Sequence, residues 1–156
     1  MTALSYIAVA GRPHVRFASY LERWLPKAVK LVRKAPPKVS IALVGETKMA
    51  ALHKKFMNKP ESTDVLTFEL EHDARGRVTA GEVVVCVSYA QKEAKRRGIK
   101  VENELLLYAL HGVLHLSGYD DSPSVEHARM HKEEDRILKR IGIGAVFSRP
   151  EKTRSS

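Results

Sequence analysis

An α+β fold, one mixed sheet of about four strands packed with about five helices, is predicted by three features of the chain. Short apolar or alternating runs bounded by Gly, Pro or polar residues read as strands (3–10, 38–44, 65–70 and 81–87). Longer segments in which apolar residues recur at helical spacing read as helices. The two kinds are mixed in order, and neither a repeat nor a linker divides the 156 residues, so 1–156 is read as a single domain.

Residues 3–10 (LSYIAVAG) form the first expected strand. From His14 to Lys34, Phe17, Tyr20, Leu21, Trp24, Leu25, Ala28, Leu31 and Val32 make an apolar stripe opposite a basic face of arginines and lysines. Pro36-Pro37 breaks that helix, and Lys38–Val44 alternates as a strand does. A short helix from Glu46 runs through Leu52 and Phe56, and Val65–Leu70 is the third strand. The polar stretch from His72 to Thr79, with Gly76, reads as a hairpin connection. Gly81–Val87 is almost continuously apolar, the mark of an interior strand. Ser88 is read as the N-cap of a helix from Tyr89 to Arg97 that closes on Gly98. The next helix runs from Val101 to Leu116, and Ser122-Pro123 opens the last one, which continues to about Ile141. The tail is polar and basic, and residues 147–156 are expected to be disordered.

Composition narrows the function classes. No apolar run approaches a membrane span, and 44% hydrophobic content with a mean hydropathy of −0.27 describes a water-soluble domain. The single cysteine, Cys86, excludes an internal disulfide, suits a reducing cytoplasm, and lies in an apolar run as a structural thiol would. The N-terminal segment lacks the basic leader of a signal peptide. With 27 Lys and Arg against 18 Asp and Glu, the net charge is +9, which favours a polyanionic partner, nucleic acid first. Lys95, Arg96 and Arg97 make a compact basic cluster available to phosphate. There is no P-loop and no serine elbow.

The chemistry concentrates in His111-Gly-Val-Leu-His115-Leu-Ser-Gly118-Tyr-Asp120-Asp121. Histidines four apart share one helical face and can converge on one ion. Gly118 lets the backbone turn and bring Asp121 back toward that ion. Two imidazoles and one carboxylate leave a coordination position open, the catalytic kind of site, and zinc is its usual occupant. Asp120 is assigned to capping or to orienting a histidine. The helix is apolar nearly all round, so its imidazoles are buried and need partners. Gly112 inside it, roughly 1 kcal/mol worse than alanine, points to a close approach. A second pair, His127 and His131, lies on a helix crowded with charges and is read as solvent-exposed, with His127 as a reserve ligand. The spacing also matches a metallopeptidase signature, but the general-base glutamate of that signature is replaced by Gly112.

This stretch resembles the signature of the YbeY family, bacterial metal-dependent endoribonucleases linked to ribosomal RNA maturation. Ser62-Thr-Asp-Val-Leu-Thr-Phe68 is similar to the family's Pro-Thr-Asp-Val-Leu-Ser-Phe, and Gly81-Glu-Val-Val-Val85 resembles its Gly-Asp-Ile-Val-Ile strand. The resemblance implies an α+β fold, one zinc ion, cleavage of single-stranded RNA, and work with ribosomal RNA and the small ribosomal subunit in the cytoplasm. It implies no membrane and identifies no obligate protein partner. The family's zinc histidines fall on His111, His115 and Asp121, the first two also being catalytic. Two departures stand out. Asp121 replaces a histidine, and its charge cancels one unit of the ion's, making a weaker electrophile. Met57 replaces an arginine thought to face substrate, leaving Lys54, Lys55 or Lys59 as point charges where a bidentate clamp would be. The alternatives are a non-catalytic, metal-binding ribosome-assembly factor and, behind it, a metallopeptidase.

Overall fold

Three strands in the order β1-β3-β2 form the sheet of the computed structural model, which describes residues 15–57, 63–119 and 125–147, with backbone alone for 125–127. The elements are α1 (Val15–Val29), β1 (Lys38–Val44), α2 (Glu46–Met57), β2 (Val65–His72), β3 (Val78–Cys86), α3 (Val87–Arg97), α4 (Val101–Leu116) and α5 (Val125–Arg140). The architecture is α+β, with five helices among the described residues, as expected. The sheet has three strands among the described residues, and the strand expected at 3–10 lies outside them.

The central strand explains the continuous apolar run. β3 pairs parallel with β1, Val39 opposite Gly81 through Val44 opposite Cys86, and antiparallel with β2, Val65 opposite Val85. Both of its faces are covered, so alternate residues enter different cores. Val39, Ile41, Leu43, Val83 and Val85 join the main core with α1, α4 and part of α5. Ala42, Val44, Val84 and Cys86 pack on Met49 and Leu66 in a smaller core on the α2 side.

α1 stops earlier than its apolar stripe. Leu31 and Val32 N–H donate to carbonyls three residues back, Ala28 and Val29 (both 3.0 Å), and Lys34 takes φ +62°. Val32 and Ala35 remain buried, so the stripe reports burial beyond the helix as well as within it. Ser88 does not cap α3. The helix begins at Val87 with Cys86 as N-cap and no side-chain capping bond, and the Ser88 hydroxyl meets Cys86 Sγ at 3.3 Å. Gly98 closes α3 in the left-handed region (φ +70°), as expected.

α4 lies against the sheet because two positions lack a side chain. A Cβ on Gly112 would stand 2.4 Å from Val83 Cγ1, and one on Gly81 would stand 2.7 Å from Leu116 Cδ1. The close approach signalled by Gly112 is therefore that of β3, and it sets the depth at which the histidines of α4 sit.

Candidate metal centre

His111 and His115 stand one turn apart on α4, their ring centroids 5.3 Å apart and their planes at 77°. Both line an open cavity of about 340 Å³ whose other walls are Met57, at the end of α2, and residues 63–67, at the start of β2. The rim is built by Asp64. Its Oδ1 accepts the Val65 N–H (2.7 Å) and the Thr63 hydroxyl (3.3 Å), and its carbonyl accepts the Cys86 N–H (2.9 Å). The cavity thus lies where α4 crosses the edge of the sheet, with the imidazoles on one side and backbone polar groups on the other.

Behind the histidines is a carboxylate that the sequence reading missed. Glu134 of α5 is fully buried. Its Oε2 lies 2.5 Å from His111 Nδ1, and its Oε1 lies 2.7 Å from His131 Nδ1. A carboxylate can only accept, so both Nδ1 atoms carry the proton. That fixes the tautomer, so a metal held by His111 would be bound through Nε2, as in carboxylate–histidine–metal arrangements. The imidazole that burial left in need of a partner is satisfied here by Glu134.

His111, His131 and Glu134 also offer ligand atoms all within 4.8 Å of one another, a group able to hold a metal ion. As they stand, their closest contacts are hydrogen bonds. Ligands about 2.0–2.2 Å from a tetrahedral zinc would be separated by roughly 3.3 Å, well beyond both Nδ1–carboxylate distances. In chemical kind, imidazole and carboxylate suit a borderline divalent cation, so the donor set fits a metal, while at the separations seen here the three groups are joined by hydrogen bonds.

Other assignments fare differently. His131 is not on a wet face: it is half-buried, with 14% of its side chain exposed, and is tied to Glu134. The charge-rich composition of α5 concealed an inward edge carrying Met130, Glu134, Ile137 and Leu138. Nothing is described of the His127 side chain, and Lys59, Asp120, Asp121 and residues 148–156 lie outside the described residues. Within the basic cluster, Arg97 turns inward. Its guanidinium bonds Glu104 (2.9 Å) and the carbonyls of Val146 and Phe147, leaving it buried and not presented to a ligand. Lys95 and Arg96 remain exposed, with Arg96 on Glu93 at 2.8 Å, which holds that carboxyl below its ordinary pKa. A glutamate spaced 23 residues from His111 has no periodic relation to it, and only the buried character of Ile137 and Leu138 around it could have drawn attention to it.

The fold and this centre define an α+β protein with a histidine–carboxylate site open to a cavity. Comparison with known proteins gives that class a family. The model for "Endoribonuclease YbeY" matches residues 12–142. Proteins named Endoribonuclease YbeY are similar to the chain: from Thermobifida fusca, 40% identical over 107 residues (64% of this chain, 69% of that protein), and from Macrococcus caseolyticus, 36% over 112 residues (67% and 72%). A solution structure from Thermotoga maritima superposes with a TM-score of 0.53 at 26% identity, covering 86% of this chain and 91% of that one. The chain belongs to the YbeY endoribonuclease family.

Proposed function

We propose that this chain is a zinc-dependent endoribonuclease that cuts single-stranded RNA in the maturation of ribosomal RNA, acting on the small ribosomal subunit in the cytoplasm. The observation that carries the reading is the pair His111 and His115 on the wall of an open cavity, with His111 held in one tautomer by buried Glu134. These two histidines and Asp121 are the proposed ligands of one zinc ion. When bound, the ion supplies Lewis-acid charge to a phosphodiester.

The chain's own residues do the rest. Glu134 aims the His111 ring, and α4 sets the depth of both imidazoles through the Gly112–Val83 contact. Exposed Lys95 and Arg96, with Lys59, are proposed to hold the RNA backbone as positioning charges. Arg33, Lys34 and Arg129 surround a further cavity of about 280 Å³ beside Gly118 and Tyr119, extending the positive surface past the end of α4. Among the described residues no helix is long and apolar enough to cross a membrane. A second reading, a metal-binding assembly factor without cleavage, is favoured by Met57, whose apolar side chain lines the cavity and cannot clamp phosphate.

The test pairs metal content with cleavage of a single-stranded RNA, for wild type, His115→Ala and Asp121→Asn, with and without chelator. Expected are metal loss in both variants and cleavage abolished by chelator. Full metal occupancy in both would remove the ligand assignment. A loaded protein that binds RNA without chelator-sensitive cutting would establish the assembly-factor reading. Met57→Arg is expected to tighten RNA binding about tenfold, the effect of a charge-assisted hydrogen bond, as read by fluorescence anisotropy.

A further inference from the structure

The metal centre is backed by a continuous set of contacts that begins at the C-terminal side of α5. Gly142 (φ +97°) and Gly144 (φ +103°) turn the chain after that helix, with Ile143 and Gly144 N–H donating to the Leu138 carbonyl (2.9 and 3.1 Å). The returning strap is then fixed at three points. Arg97 donates to the carbonyls of Val146 and Phe147, the latter at 2.8 Å, and the Phe147 N–H donates to Asp135 Oδ1 at 2.9 Å. Arg97 is itself held by buried Glu104.

This anchoring places one ring. Phe147 lies flat on His131, with centroids 3.6 Å apart and planes at 5°. His131 also lies nearly parallel to His111, at 5.6 Å and 16°. Both imidazoles end on the two oxygens of the same buried carboxylate, Glu134. Phe147 is 41% exposed, and its ring meets the site through the stack on His131.

We infer that Phe147, His131 and Glu134 are positioning residues that set the orientation of His111 for its metal, and that the strap at 142–147 clamps this set from outside the ligand sphere. His131 takes one oxygen of Glu134 and holds the carboxylate in the plane from which the other oxygen meets His111. Phe147 keeps His131 from rotating off. The inference rests on the proposed ligation of the ion by His111.

The test titrates Zn²⁺ and Co²⁺ into the apoprotein, measuring affinity for both ions and the visible absorption of the Co²⁺ form. Variants are Phe147→Ala, Phe147→Leu, Glu134→Gln and the double variant Phe147→Ala/Glu134→Gln, each first shown by thermal unfolding of the apo form to be folded. Expected are a 10–100-fold loss of affinity for Glu134→Gln, the range for losing an outer partner of a ligand. Phe147→Ala should lose several-fold with an altered Co²⁺ spectrum, and Phe147→Leu, which keeps apolar bulk without a ring to stack, should behave alike. The double variant should bind no more weakly than Glu134→Gln, because both act through one set of contacts. Wild-type affinity and spectrum in both Phe147 variants, or losses that simply multiply in the double variant, would overturn the clamp alone. A wild-type protein that takes up neither ion would overturn the metal reading and this inference with it.

Discussion

Two buried glutamates, Glu104 on α4 and Glu134 on α5, are 2% and 0% exposed, yet they serve different ends. Glu104 is met by Arg97 at 2.9 Å and by the Tyr108 hydroxyl at 3.2 Å, a fixed charge and a neutral donor. Glu134 is met by two imidazoles, which can carry either charge state and can bind metals. The first arrangement joins α3, α4 and the C-terminal strap. The second aims a ring into a cavity. Burial makes a carboxylate depend on its partners, and the type of partner decides whether the result is a joint or part of a site.

The largest expected effect removes the fixed charge. Arg97→Met leaves the Glu104 carboxylate buried without a counter-ion and releases two strap carbonyls, a loss of about 3–5 kcal/mol at neutral pH in urea unfolding. Burial already pushes the Glu104 carboxyl above its ordinary range, with Arg97 opposing. A raised acid binds its proton more tightly folded than unfolded, so stability falls as pH rises from the unfolded value through the raised one. The Arg97→Met deficit should therefore shrink as the pH is lowered toward 4.5, the ordinary value for glutamate. A deficit constant with pH would mean that Glu104 is not the group left exposed to the loss.

Glu134→Gln should cost less stability, about 1–3 kcal/mol, because a neutral amide can satisfy only one of the two Nδ1–H donors. A stability loss equal to that of Arg97→Met would break the distinction between joint and site. Tyr108→Phe comes next, at about 1 kcal/mol for one neutral donor lost to Glu104. Burial, then the Glu104 charge, pushes the Tyr108 hydroxyl well above its ordinary pKa, so wild type should show no ionisation of this tyrosine in a spectrophotometric titration of the folded protein. The smallest effect belongs to a surface counterpart. Glu133 and Arg136 pair at 2.6 Å on the outer side of α5, and Arg136 holds the Glu133 carboxyl below its ordinary pKa. A lowered acid contributes stability above its unfolded pKa and loses it as pH falls through the lowered one. Glu133→Gln should cost under 1 kcal/mol at pH 7, and the cost should shrink as the pH falls below the ordinary range of glutamate.

Much of this protein is legible in its residues alone. α4 was bounded at Val101 and Leu116 because eleven of its sixteen residues are buried, which shows as an almost unbroken apolar sequence. β3 was legible for the same reason. The i,i+4 rule placed His111 and His115 on one face, and the structure brings both to one cavity. Where local signals failed, a tertiary contact had overruled them. Arg97 belonged by composition to an exposed basic trio, but Gly98 turns the chain so that Glu104, seven residues on, captures it. His131 and Glu134 looked solvated because α5 is charged on most sides, and its inward edge is narrow.

The sequence by itself determined the helices and strands seen among the described residues, the mixed layered architecture, and which histidines share a face, since each follows from periodicity and turn chemistry within a dozen or so residues. Only the tertiary structure decided what those histidines meet. The partner of His111 lies 23 residues away, and the strap behind it is tied to an arginine 49 residues before Val146. Hydrogen bonds of that span are chosen by how α3, α4 and α5 pack together, and residue spacing carries no record of it.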